Sequence, residues 1–293
     1  MLEFKNAVAA VLKKSGHNTS AKKEIQMFIG GEWQGGETNK VSDIVNPATE
    51  ELLAYVSDAS SAQIHTAFAA ARIAQPIWHE TVTEQEKERI FRRIATYLEE
   101  WRGALSWVII QEGGKLWKWA DAEVQEAIDT VWHYHGEISR VYGRVSRCQM
   151  ADKLSITMRA PYGTILGITP WNFPLAVPSW KIFAALAAGN AVVLKAAEQT
   201  PTTASLLCYI VQLAIREVLG PERTQQLSSI FQVIHGNGER MSFSLLKRGD
   251  YDKVLFTGGT ETGGMVAEAA GLRRKPVSLE LGGHAAIILM DDF

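Results

Sequence analysis

Between Gly163 and Glu198 the chain reads strand, turn, helix, strand, and no other stretch restricts the possible fold as tightly. Gly163 to Ile168 is a short β-rich run. Thr169-Pro170-Trp171-Asn172-Phe173-Pro174 then excludes regular structure, because each proline lacks an N–H and restrains the residue before it. From Val177 the apolar residues Trp180, Phe183, Ala184 and Ala187 recur at helical spacing, and Gly189-Asn190 supplies a stop. Ala191 to Leu194 has the compact apolar pattern of a buried strand, followed by Lys195 and Glu198. This is a βαβ unit with polar residues beyond both strand ends, where open parallel sheets form their ligand crevice. A neutral donor (Asn172), a cation (Lys195) and a carboxylate (Glu198) would line it. Taken singly, Asn172 also reads as a turn residue, and Lys195 and Glu198 as a solvated strand end.

The rest of the chain extends the pattern. Phe28 to Trp33 predicts a hairpin around Gly30-Gly31, and Asp43–Pro47 and Leu52–Val56 two more short strands around a turn. Ser60 can cap a helix running through Ala74, with Pro76 ending it. Thr83 and Glu86 form a capping box ahead of a 3.6-period stripe, Ile90, Ile94, Tyr97, Leu98 and Trp101. A further helix over Leu116 to Val141 carries Val124, Ile128, Val131, Trp132 and Ile138. Residues 143–159 alternate as an exposed hairpin. Thr200-Pro201 predicts a cap and first helical position, with Gly220-Pro221 as the stop. Phe231–Ile234, Lys253–Phe256 and Val277–Leu281 are further strands, and a helix begins near Glu261. Strands and helices thus alternate from Thr164 to Leu281, predicting a parallel sheet covered by helices.

Function classes narrow at the same time. The net charge of −2 gives no basis for nucleic-acid binding, and 46% hydrophobic with 21% charged residues is an ordinary globular composition. No apolar run in the sequence has the look of a membrane span. Met1 to Glu24 is mildly amphipathic but holds Glu3 and no Arg, unlike a targeting peptide; it reads as an N-terminal extension, 1–25, with a short helix. Cys148 and Cys208 make no disulfide framework, so a cytoplasmic location is expected. His133 and His135 lie two apart on a helix and do not face one another, which argues against a metal site. His235-Gly236-Asn237-Gly238 is only half of a Gly-x-Gly-x-x-Gly fingerprint, since Met241 stands at the third glycine.

PWNFP followed by KAAEQTP, then Phe256 to Gly263 (FTGGTETG) and Leu279 to Gly283 (LELGG), resembles the aldehyde dehydrogenase superfamily, from about Met27 to the end of the chain. The resemblance implies an α/β fold: a Rossmann-like parallel sheet with helices on both faces and an oligomerisation hairpin, here truncated. It divides the chain into an NAD(P)-binding domain at 26–142 and 160–280, a hairpin at 143–159 joining a homo-oligomer, and the start of a catalytic domain at 281–293. It implies oxidation of an aldehyde substrate to a carboxylic acid through a cysteine thiohemiacetal and thioester, with NAD or NADP as cofactor. Asn172 would be the oxyanion donor and Glu280 the general base. Ile168, Trp171, Lys195, Glu198, Gly258, Gly259, Thr260 and Gly263 would bind the cofactor, Lys195 and Glu198 through the adenosine ribose. A carboxylate at Glu198 repels a 2′-phosphate, which favours NAD. No metal, nucleic-acid or membrane partner is implied.

Three positions depart from the family pattern. Gly259 stands where a serine is common. His284-Ala285-Ala286 stands where Lys, a small polar residue and Pro are usual. The family's nucleophilic cysteine follows the glutamate, yet no cysteine follows Cys208. Cys148 in the hairpin and Cys208 on an apolar helix face are poor substitutes. The expectation is a chain inactive by itself; the alternative is a truncated, non-catalytic nucleotide-binding or oligomerisation partner.

Overall fold

The computed structural model describes residues 2–14 and 23–291. The expected N-terminal extension and the stretch 281–293 therefore lie partly outside the described residues. The chain opens with α1 (Leu2–Val11), β1 (Leu12–Lys14) and β2 (Lys23–Ile25), then the hairpins β3 (Met27–Ile29)/β4 (Glu32–Gln34) and β5 (Val41–Val45)/β6 (Leu52–Ser57). Four helices follow: α2 (Ser61–Thr81), α3 (Glu84–Glu100), α4 (Arg102–Gly113) and α5 (Trp117–Glu137). After the hairpin β7 (Arg144–Arg147)/β8 (Leu154–Thr157) come β9 (Thr164–Ile168), α6 (Ala176–Ala187), β10 (Ala191–Lys195), α7 (Pro201–Leu227) and β11 (Phe231–Ile234). The last elements are α8 (Gly238–Ser242), a π-helical turn at Phe243–Arg248, β12 (Lys253–Thr257), α9 (Thr260–Leu272) and β13 (Val277–Glu280).

The main sheet has seven strands in the order β13-β12-β9-β10-β11-β3-β4. β13 to β11 are parallel, and the β3/β4 hairpin adds antiparallel to β11. The chain steps from β9 to β10 to β11, then crosses back to place β12 on the other side of β9. Right-handed crossovers therefore set α6 and α7 on one face and the α8–α9 segment on the other. The order reverses between β9 and β12, and the carboxyl ends of those strands open onto a crevice. β9, β10 and β11 are buried almost throughout, which explains their continuous Val/Ile/Leu runs.

A second, four-stranded sheet, β1-β2-β6-β5, was not foreseen as a unit. It incorporates part of the expected N-terminal extension: Ala7 and Val11 of α1 are fully buried, and Gln26 N–H bonds Val11 O at 2.7 Å. The β3/β4 turn has Gly30 and Gly31 at φ 63° and 92°, the left-handed pair a two-residue hairpin requires.

Tertiary contacts override two local signals. Pro76 does not end α2, which continues to Thr81. Gln75 Nε2 donates to Gly189 O at 2.8 Å and the buried Trp78 indole to Leu186 O at 2.9 Å, so both sides of the proline are pinned to the C-terminal end of α6. Thr200 gives α7 no side-chain cap. Glu112 of α4 does so instead, accepting Thr202 N at 2.7 Å and Thr203 N at 3.0 Å. The Thr83/Glu86 box forms as expected. α5 stops at Glu137 rather than Val141, and its Trp132 is exposed. α7 breaks at Gly220 and resumes from Pro221 to Leu227. Among the described residues α7 alone is long and apolar enough to cross a membrane, but its apolar residues pack against the sheet and α3.

Candidate active site

The crevice between the carboxyl ends of β9, β10 and β12 is a cleft of about 830 Å³. β9 contributes Ile168 and the following Thr169-Pro170-Trp171; β10 contributes Lys195 and, just beyond it, Glu198; β12 leads into Thr257, Gly258 and Gly259. Six of the expected site residues, Ile168, Trp171, Lys195, Glu198, Gly258 and Gly259, therefore line one cavity.

Lys195 is 5% exposed, and its ammonium pKa falls to about 8 because burial disfavours the charge, against the pull of Glu198 and Asp58. Among the described residues its Nζ donates no hydrogen bond and forms no close ion pair. Thr257 Oγ1, in the cleft wall, is buried without a partner, a state buried polar groups seldom keep without a ligand or water.

Helix ends sharpen the picture. An unsatisfied helix N-terminus attracts an anion, and several helices begin at this edge of the sheet. The N-terminus of α6 is filled by Glu123 of α5, which accepts Leu175 N at 2.8 Å and Ala176 N at 3.1 Å and pairs with Lys115 at 2.5 Å. That of α7 is filled by Glu112. The start of α8 is taken by Asn237 Oδ1 and by Glu198, whose Oε2 accepts Gly238 N at 3.1 Å. α9 starts at Gly259 with no side-chain cap, its first turn beside the cleft. It is a helix end beside the cleft left available to a ligand anion.

Asn172 and Glu280 share this edge of the sheet but do not line the cleft; both are exposed. Asn172 sits in the turn between β9 and α6, where the Lys115 ammonium lies 3.8 Å over the Phe173 ring. Glu280 ends β13, and its charge acts on the buried Lys181 of α6, whose pKa burial lowers to about 8. Thr260 opens α9 without lining the cleft. Gly263 does not line the cleft either: its N–H donates to Gly259 O at 2.9 Å, and a Cβ there would meet Leu281 and Phe256. It serves close packing of α9 on the last strand.

Sequence reasoning missed the far wall, Asn237, Gly238, Phe243, Leu246, Lys247, Met265 and Val266. The signal was present as a strand followed by His-Gly-Asn-Gly, read there only as an incomplete fingerprint. Asp58 underlies that loop. Burial raises its carboxyl pKa, but the Arg240 hydrogen bond, the Asn237 amide and the Arg240 and Lys40 charges outweigh this and hold it low. Behind the loop His235 is buried and neutral, its pKa pushed down to about 3 by desolvation and then by the Lys195 charge.

Residues 33–293 match the aldehyde dehydrogenase family model. This chain belongs to the aldehyde dehydrogenase family. It is 34% identical over 269 residues to an aldehyde dehydrogenase of Agaricus bisporus, covering 91% of this chain and 52% of that protein. Among solved structures it resembles an E. coli NADP dependent enzyme (TM-score 0.81, 32% identity, 88% of this chain and 51% of that one). It also resembles an NAD-dependent benzaldehyde dehydrogenase from Corynebacterium glutamicum (TM-score 0.79, 30% identity, 92% and 56%). The chain spans about half the length of the relatives it matches. Neither of its cysteines is in the cleft: Cys148 is exposed at the β7/β8 turn, and Cys208 is buried in α7, with burial pushing its thiol pKa well up.

Proposed function

We propose that this chain supplies the dinucleotide site, the oxyanion donor and the general base of an NAD-dependent aldehyde oxidation. The observation that carries the reading is the convergence of Lys195, Glu198 and the uncapped start of α9 on one cleft at the switch point of the sheet. The cleft fits a nicotinamide dinucleotide. Lys195 and Glu198 can take the adenosine ribose hydroxyls, the α9 amides the pyrophosphate, and the apolar wall of Phe243, Leu246 and Val266 the adenine. When bound, the nicotinamide supplies the acceptor for the aldehyde hydrogen. Asn172 would donate its amide N–H to the oxyanion formed when a thiol adds to the carbonyl, a contribution of ~10²–10³ in rate. Glu280 would take a proton from the water that releases the acid. The thiol comes from neither Cys148 nor Cys208, so residues 1–293 alone bind dinucleotide without turnover. Glu198 favours NAD over NADP, and two unpaired cysteines suit a reducing cytoplasm.

Calorimetric titration of the purified chain with NAD+, beside an assay of NADH formation with an aldehyde, tests this. Saturable binding without turnover is expected, and Lys195→Met should weaken it roughly tenfold. Absence of NAD+ binding would overturn the reading. Turnover that disappears in Asn172→Ala would overturn the claim of inactivity.

The exposed β7/β8 hairpin favours a compatible second role in assembly. Val145 and Ile156 are paired across it, and Leu154 and Met158 are also exposed. We infer that it joins copies of the chain or a longer relative.

A further inference from the structure

We propose that Asn237 is a positioning residue that locks Glu198 and so sets the preference of the cleft for a free 2′-hydroxyl over a 2′-phosphate. The inference rests on the dinucleotide reading above. Each Glu198 oxygen takes one bond from the loop after β11: Asn237 Nδ2 reaches Oε1 at 3.1 Å, and Gly238 N reaches Oε2 at 3.1 Å. The amide orientation of Asn237 follows from its two neighbours. Its Oδ1 accepts Arg240 N at 3.0 Å, and a backbone N–H can only donate. An ionised carboxylate can only accept, so Nδ2 faces Glu198. Each carboxylate oxygen keeps lone-pair capacity for a ribose hydroxyl.

The loop carrying Asn237 is itself fixed. Asp58, 2% exposed at the end of β6, accepts Asn237 N at 3.0 Å. The same carboxylate takes Arg240 Nε at 2.5 Å and an Arg240 terminal nitrogen at 2.8 Å. Gly236 turns the backbone at φ 133°, and a Cβ there would meet Asp58 Cα at 2.9 Å. Asp58, Arg240, Asn237 and Glu198 therefore form one chain of bonds across three segments. An unheld glutamate can escape a 2′-phosphate by rotating into solvent. A glutamate held at both oxygens must break bonds to do so, and keeps its charge where the extra phosphate would lie.

The test is the ratio of NADP+ to NAD+ dissociation constants, measured calorimetrically on the whole chain and its variants. Asn237→Ser retains an N-cap acceptor for α8 but cannot reach Glu198. It is expected to lower the ratio roughly tenfold, chiefly by tightening NADP+ as the released carboxylate swings away from the 2′-phosphate. Asn237→Gln keeps an amide donor while losing the better cap, and is expected to restore the ratio. Glu198→Gln should collapse the preference, and adding Asn237→Ser to it should change nothing further, as required when one residue acts through the other. Equal weakening of both nucleotides in Asn237→Ser, or additive effects in the double variant, would overturn the proposal and leave the dinucleotide reading intact. A wild-type chain that binds neither nucleotide would overturn both. Should Asn237→Ser fail to fold, judged by circular dichroism, the ratio in Asn237→Gln decides: a collapsed ratio there counts against the proposal.

Discussion

Lys195 carries opposite pH dependences for binding and for stability. Its native pKa of about 8 lies below that of an unfolded lysine, about 10.4. Between those values the unfolded state holds more protons, so the contribution of this residue to stability rises with pH. The charge that would grip a ribose hydroxyl disappears over the same interval. NAD+ affinity should therefore decline above pH 8, by about tenfold in all once the ammonium is neutral, while the urea midpoint moves up. Lys195→Met should flatten both trends. Titrations and urea unfolding from neutral to alkaline pH check this, and an affinity independent of pH would remove Lys195 from the binding site. Its burial at a strand end is what makes it informative, and burial was the property the sequence could not show. Lys195 and Glu198 were visible as polar residues after an apolar strand. Asn237 and Asp58 were not, because their roles depend on a loop from β11 meeting a loop from β6, about 180 residues apart.

At the level of elements, the two glutamates that fill helix ends are the strongest local devices. Glu123 is 1% exposed; it satisfies two amides at the start of α6 and holds Lys115, which covers Phe173. Glu123→Ala should destabilise the chain by about 2–4 kcal/mol, since buried amides and an ammonium lose a charged acceptor. The shift in urea midpoint measures it, and a change below 1 kcal/mol would show that water replaces the carboxylate. The α6 and α7 starts were legible from Pro174, Thr200 and Pro201. Their capping groups were not, because they come from α4 and α5. The same limit explains Pro76: its effect on φ and hydrogen bonding is local, but Trp78 and Gln75 are anchored on α6. Strand order was legible only as alternation. Placing β12 beside β9, which creates the cleft, needs the crossover itself.

Over the whole molecule, the exposed apolar surface is concentrated outside the cleft. The β7/β8 hairpin forms a two-stranded sheet of its own, with no buried residue on either strand. Such a ribbon is marginal alone in water, and its free edges invite pairing with another chain. Val145, Leu154, Ile156 and Met158 are each more than 60% exposed, a costly arrangement for a monomer. A partner strand or sheet would satisfy both the apolar face and the unpaired backbone. Replacing Leu154 and Ile156 by Glu should leave the main sheet untouched, because the hairpin contributes no core residue. The double variant should keep the circular dichroism spectrum and the NAD+ affinity of the parent. It should sediment as a monomer at concentrations where the parent self-associates. Unchanged sedimentation would move the interface elsewhere, and loss of nucleotide binding with the monomer would mean that assembly supports the cleft.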